Sequence, residues 1–205
     1  MRTRFLPLLA IGVSVLGFDA EARTWTHKDG RTVEAEVVSR SRTGVTLELE
    51  DGTRTTIAVN QLSIDDQAFL KTWKPKRPIE VPERAVYHDG SWYHVVLEEM
   101  TWKLAAQKAE KMGGRLAVIE NAETQKLIVS LADGLLLWIG ATDEEIEGRW
   151  RWVDGEKLAF TAWGPTEPNG GRKENYARLG KRGNWIDVND RGGANGVVGF
   201  IVQWK

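Results

Sequence analysis

The sequence predicts an α+β domain preceded by a small all-β unit. Three observations predict it. Between Arg23 and Val59, apolar residues alternate with polar ones, and Asp29-Gly30 and Asp51-Gly52 separate the runs. Beyond residue 85, two helical patterns with capping residues at Thr101 and Asn121 are interleaved with short apolar runs. From Thr161 to Arg191 periodicity fades, and Gly, Pro and Asn take over, which predicts a long ordered loop region of the kind that usually carries function.

The first segment, residues 1–22, reads as an export signal. Arg2 and Arg4 make a basic start, Phe5 to Phe18 is apolar, and Ala20-Glu21-Ala22 is a small-residue cleavage site. The apolar run is short for a bilayer span, so the expectation is a secreted or periplasmic chain beginning at Arg23 with no membrane span.

Residues 23–73 form the all-β unit. Val33, Ala35 and Val37 make one alternating run, Val45, Leu47 and Leu49 a second, and Ile57 and Val59 a third. The two Asp-Gly pairs tolerate the positive φ of tight hairpins. Ser63 then caps a short helix whose Asp65 and Asp66 suit the first-turn dipole, with Phe69, Leu70 and Trp73 at helical spacing. The sum is a small curled sheet closed by a helix. Residues 74–84 hold three of the six prolines and read as a semi-rigid linker.

Residues 85–205 form the larger unit. Tyr87–Val96 is predicted as a strand. Thr101 caps a helix with Trp102, Ala105, Ala106, Ala109 and Met112 on one face, ended by Gly113-Gly114. Leu116 and Val118 mark a short strand. Asn121 caps a second helix bearing Leu127, Ile128 and Leu131, ended near Gly134. Leu135 to Ala141 is a buried strand, Trp150 and Trp152 lie on a half-buried one, and Gly199–Trp204 closes the chain by pairing with the Tyr87–Val96 strand.

Composition narrows the function. The formal charge is −1, so no basic field exists to recruit nucleic acid or an anionic membrane. There is no cysteine, so burial alone must hold an exported fold, and eight of the ten tryptophans lie from Trp92 onward to supply it. His27, His88 and His94 lack zinc spacing. No nucleophile elbow is present. Glu167 and Glu174 resemble a glycosidase pair only in being two carboxylates, and the expectation is a binding protein, with no catalytic residue, rather than an enzyme.

The candidate site lies in the long loop. Glu167, Asn169, Glu174 and Asp187 offer carboxylate and carboxamide oxygens, which a hard cation such as calcium selects. Asp143-Glu144-Glu145 reads as a solvated turn, and Trp163 and Trp185 as core.

Two resemblances add to this. Arg23-Thr24-Trp25-Thr26, the Asp51-Gly52 hairpin and Asn60-Gln61-Leu62-Ser63 resemble the first homology domain of Sla-type endocytic adaptors, a small Src-homology-3-like barrel; this implies a structural or docking role and no individual site residue. The ordered pieces Gly113-Gly114-Arg115-Leu116-Ala117, Trp138-Ile139-Gly140-Ala141, Glu147-Gly148, Glu167-Pro168-Asn169, Trp185-x-Asp187 and Gly199-Phe200-Ile201 resemble the C-type lectin-like domain over residues 85–205. That resemblance implies two helices around two antiparallel sheets with a long loop region. It implies calcium and sugar held by Glu167, Asn169, Glu174 and Asp187, with mannose- or glucose-type preference, and an auxiliary calcium position at Asp143, Glu147 and Asn175. Two neighbouring sugar hydroxyls would complete the calcium shell. The sequence departs from the family at two places. Ala109, Tyr176, Asp190 and Val202 stand where the family has cysteines. Ile186 stands where it has an asparagine, with Asn184 and Asn189 as nearby oxygen donors. The expected partner is a carbohydrate or glycoconjugate. The alternative is a metal-independent module that binds protein through the lectin-like loops or the first unit.

Overall fold

Trp25, Ala35, Val45, Leu47, Leu62 and Leu70 are buried together and form the core of the first unit. The computed structural model describes residues 22–192 and 196–205; the predicted export signal, apart from Ala22, lies outside them. Strands β1 (Arg23–Thr26), β2 (Thr32–Arg40), β3 (Gly44–Glu48) and β4 (Arg54–Ala58) make an antiparallel meander in sequence order. Gly30 and Gly52 take the positive φ values, 86° and 78°, that the Asp-Gly pairs predicted. Helix α1 (Ile64–Thr72) begins as expected, the Ser63 hydroxyl accepting the Asp66 N–H at 3.1 Å. Asp66 also holds β1, accepting from Arg23 and from the Thr26 N–H at 2.8 Å each. The arrangement is a four-stranded meander with a bridge from His27 to Leu62, and α1 packs Leu70 into its core. Val59 belongs to a 3-10 turn rather than to the last strand.

The second unit is built on one sheet. Its strands are β5 (Val86–His88), β6 (Ser91–Val96), β7 (Arg115–Leu116), β8 (Leu137–Thr142), β9 (Arg151–Trp152), β10 (Tyr176–Leu179), β11 (Trp185–Val188) and β12 (Gly199–Trp204). The order is β11-β10-β8-β12-β6-β5, with β7 beside β12 and β9 beside β8. Two antiparallel sheets were expected; the parallel pairing of β12 with β8 joins them into one. β12 pairs with β6 as predicted, Trp204 opposite Trp92. The stretch 87–96 is a hairpin rather than one strand, because Asp89 (φ 46°) and Gly90 (φ 87°) turn it.

Helices α2 (Trp102–Lys111) and α3 (Ala122–Ala132) lie where their caps placed them. Thr101 accepts from the Leu104 N–H at 3.3 Å and Asn121 from the Thr124 N–H at 2.8 Å. Alternating residues of the central strands divide into two buried clusters. Leu137, Ile139, Ala141 and Ile201 pack with Ile128 of α3, while Trp138, Phe200, Val202 and Trp204 pack with Ala105 and Ala109 of α2.

Indole N–H groups tie the helical segments to the sheet in this cysteine-free chain. Trp102 of α2 donates to the Ile139 carbonyl of β8 at 2.8 Å, and Trp138 of β8 donates to the Met100 carbonyl at 2.9 Å. Trp204 of β12 donates to the Met112 carbonyl, and Trp185 of β11 to Gln125 of α3, both at 2.9 Å. The positions expected to replace cysteines are filled by packing. Ala109, Tyr176 and Val202 share one cluster, and Tyr176 lies 5.0 Å from the Trp102 ring. Asp190 instead accepts the Trp102 and Lys103 N–H groups at the start of α2, at 3.1 and 3.2 Å.

The predicted linker is coil, but its second half is not loose. Val81 is buried in the α2 cluster and Ala85 joins it, while Ile79 is exposed. The two units touch: the Tyr87 hydroxyl donates to the Arg40 carbonyl at 3.0 Å, and Arg42 pairs with Glu123 at 3.1 Å.

Candidate metal and ligand site

The stretch 161–191 contains two strands the sequence did not announce, β10 and β11, paired with each other, with β10 also paired to β8. All four residues of β10 are buried, so no alternation marks it as a strand. The hairpin gives the loop a floor. Trp185 is fully buried, with Trp152, Trp163 and Phe160 around it at 5.4, 5.6 and 6.0 Å. Its backbone N–H donates to the Ala162 carbonyl, its carbonyl accepts from the Gly164 N–H, and the Gly164 carbonyl accepts from the Glu167 N–H at 3.1 Å. Trp185 is core, as read from the sequence, while Trp163 is partly buried and packs against that core.

On that floor three of the four predicted residues, Glu167, Asn169 and Asp187, are joined by hydrogen bonds, and Glu174 packs beside Gly170 at its edge. Asp187 is 2% exposed. Its two oxygens accept the Asn169 N–H at 3.0 and 2.9 Å, and one accepts the Gly170 N–H at 2.8 Å. Asn169 donates from Nδ2 to Glu167 Oε2 at 2.9 Å. The Glu167–Pro168 peptide is cis. Gly170 has a role the sequence hid: a Cβ there would stand 2.2 Å from Glu174 Oε2, so only glycine lets the Glu174 side chain cross the loop.

The electrostatics are those of uncompensated negative charge. Partial burial, the Asp187 carboxyl against it, and the charge of Glu174 push Glu167 up to about 7, while Arg178 works the other way. Arg178 is the residue the sequence reading missed. It is 6% exposed on β10, opposite Ile186 on β11, and donates weakly to the Leu179 carbonyl at 3.3 Å. Burial lowers its pKa, while Glu167 and Glu174 raise it. The one signal for it was a charged residue inside the apolar run Tyr-Ala-Arg-Leu.

The raised pKa of Glu167 has a consequence for stability. An acid that binds its proton more tightly when folded favours the folded state below its ordinary value of 4.5, and this contribution is lost as pH rises to about 7. In chelator, Glu167→Gln is expected to melt above wild type at about pH 8 and level with it at about pH 4. Equal melting temperatures at both pH values would show that the carboxyl is not strained by its neighbours.

Donor type and excess negative charge fit a calcium ion. The set is incomplete, however. Among the described residues, no three His, Cys, Asp or Glu side chains converge into a ready-made cluster. Ile186 brings no oxygen. Asn189 is occupied in its own turn, accepting from the Arg191 N–H at 2.9 Å. Asn184 lies nearer: its Nδ2 and Glu167 Cγ are 2.8 and 3.0 Å from the point a Cβ on Gly164 would take. The auxiliary residues also gather, with Asp143, Glu147 and Asn175 lining one cleft beside Arg172. Asp143 is no solvated turn residue. It is buried, accepts the Gly148 N–H at 2.8 Å through one oxygen, and leaves the other unpartnered. Glu144 of the same turn pairs with Lys103.

Residues 98–197 match the model of the Lectin C-type domain family. A C-type lectin-like domain therefore occupies this segment. The chain is 36% identical over 105 residues to the hepatic lectin of Gallus gallus, covering 50% of this chain and 51% of that protein. It thus spans about half the length of that curated relative. Among solved structures, it resembles the cow C-type carbohydrate-recognition domain of CD23, determined in the presence of an oligosaccharide. The TM-score is 0.56 at 29% identity, over 60% of this chain and 94% of that one. It also resembles a calcium-independent type II antifreeze protein, with a TM-score of 0.54 at 25% identity, over 60% of this chain and 92% of that one. The lectin-like domain thus has similarity to carbohydrate-recognition domains and to a calcium-independent relative. Expectation of a binding protein rather than an enzyme agrees with these relatives.

Proposed function

We propose that this chain is an exported carbohydrate-binding protein whose lectin-like loop takes sugar hydroxyls with the help of a weakly held calcium ion. The observation that carries the reading is the convergence of Glu167, Asn169 and Asp187 on a rigid hairpin, with Glu174 close enough to raise the Glu167 pKa. Calcium, when bound, would supply the positive centre that accepts two adjacent hydroxyl oxygens. The chain's own residues do the rest. Glu167 accepts hydrogen bonds from the hydroxyls, and Asn169 offers donor and acceptor from one carboxamide. Asp187 holds the loop in place through its two N–H partners. Arg178 offsets part of the acidic charge from below. The Glu-Pro-Asn order supports mannose- or glucose-type preference. Among the described residues no helix is long and apolar enough to cross a membrane. Export rests on the first 22 residues, and secreted material is expected to begin at Arg23.

Calcium titration of the full chain, followed by tryptophan fluorescence and by retention on mannose resin, tests this. With a donor missing at Ile186, the dissociation constant is expected on the order of 10⁻⁴–10⁻³ M. Ile186→Asn restores an oxygen and a group that hydrogen-bonds sugar, so it should tighten both. No response in either protein at millimolar calcium would reject the metal reading. The second reading would then stand: a metal-independent interaction module. Ile186, the buried Arg178 beside the acids and the similarity to a calcium-independent antifreeze protein favour it.

A further inference from the structure

We propose that the cleft between the two units is a second ligand site, separate from the lectin-like loop, which takes a ligand bearing an oxyanion of the sulfate type. The cavity is about 230 Å³ and is walled by both units. Arg40 ends β2 and Arg42 follows in the β2–β3 connection, Lys71, Trp73 and Lys74 come from the end of α1 and the residues after it, and Tyr87 from the β5–β6 hairpin.

Charge points to an anion. Four cationic side chains line the cleft against two acids, Asp89 and Glu123. Both acids are already engaged by Arg42: Asp89 accepts its backbone N–H, and Glu123 pairs with its guanidinium. Among the described residues, Arg40, Lys71 and Lys74 take part in none of the ion pairs. This concentration of positive charge is local, since the chain as a whole carries −1.

Hydrogen bonding points the same way. Arg40 Nε and His88 Nε2 are buried without a partner, and both residues line this cleft. A buried polar atom without a partner is rare and costly, and the Arg40 N–H in particular asks for an acceptor. A sulfate-type group supplies several acceptor oxygens at once and matches the planar fork of an arginine. The aromatic pair Trp73–Tyr87, with centroids 6.3 Å apart and nearly perpendicular rings, adds an apolar wall that suits a sugar ring carrying the anion. Because the walls come from both units, such a ligand would hold them together.

The full chain in chelator, at constant ionic strength, is titrated with inorganic sulfate, with a monosulfated disaccharide and with its uncharged parent. Tryptophan fluorescence and protease sensitivity of residues 74–80 are read. The expected result is saturable binding of the sulfated disaccharide, protection of the linker, and no response to the uncharged sugar. Lys71 and Lys74 are exposed, so the double variant Lys71→Gln/Lys74→Gln should fold and should bind roughly tenfold more weakly or worse. Arg40→Gln should weaken binding as well. Equal affinity for free sulfate would assign the site to the anion alone; tighter binding of the disaccharide would assign it to a sulfated glycan. Absence of a saturable response to either anion up to about 10 mM overturns the proposal, as does binding that both variants leave unchanged. Since chelator is present throughout, neither outcome depends on the loop site.

Discussion

Asp187→Ala is expected to destabilise the lectin-like domain by about 2–4 kcal/mol and to erase any calcium response, because hydrogen bonds to a charged group contribute more than neutral ones. Asp187 is buried, and its oxygens are the partners of the Asn169 and Gly170 N–H groups. Alanine leaves those donors unpaired in a loop that must hold Glu167 and Glu174 in place. Part of the loss is offset, since Glu167 is relieved of a like charge. Asp187→Asn keeps one carbonyl acceptor and should lie between alanine and wild type. Urea unfolding in chelator measures the stability, and calcium titration measures the second effect. A stability within about 0.5 kcal/mol of wild type would mean that Asp187 is an ordinary surface-like position.

Trp185→Ala should cost more, about 3–5 kcal/mol, the range for deleting a large buried aromatic. The ring is fully buried among three other aromatic rings. Its indole N–H makes the bond that joins β11 to Gln125 of α3, and Gln125 in turn donates to the Gly183 carbonyl at 2.6 Å. Truncation therefore opens a cavity and loosens the turn between β10 and β11. Trp185→Phe keeps most of the volume but loses the N–H bond, so it should recover most, not all, of the stability. The same urea experiment decides, with near-ultraviolet circular dichroism reporting the aromatic packing. An alanine variant as stable as wild type would place the core elsewhere.

The sequence by itself determined the local elements whose causes are local. Ser63, Thr101 and Asn121 cap the helices they were expected to cap, because a cap depends on one side chain and an N–H three residues on. The Asp-Gly hairpins at 29–30 and 51–52 follow from the same kind of short-range requirement. The ordered motifs from Gly113 to Ile201 identified the lectin-like domain, and Glu167, Asn169, Glu174 and Asp187 were legible as oxygen donors because side-chain chemistry is written in the residue names. What only the tertiary structure decided depends on partners distant in the chain. β10 gave no periodic signal because both its faces are covered, and the parallel pairing of β12 with β8 joins strands far apart in sequence. Arg178 beneath the acids, Gly170 as the passage for Glu174, and the indole ties that hold the helices in a chain without disulfides all require knowing which side chains meet across the sheet. Local sequence sets the preferences of each segment; burial and the fields of distant charges act only once the segments have packed.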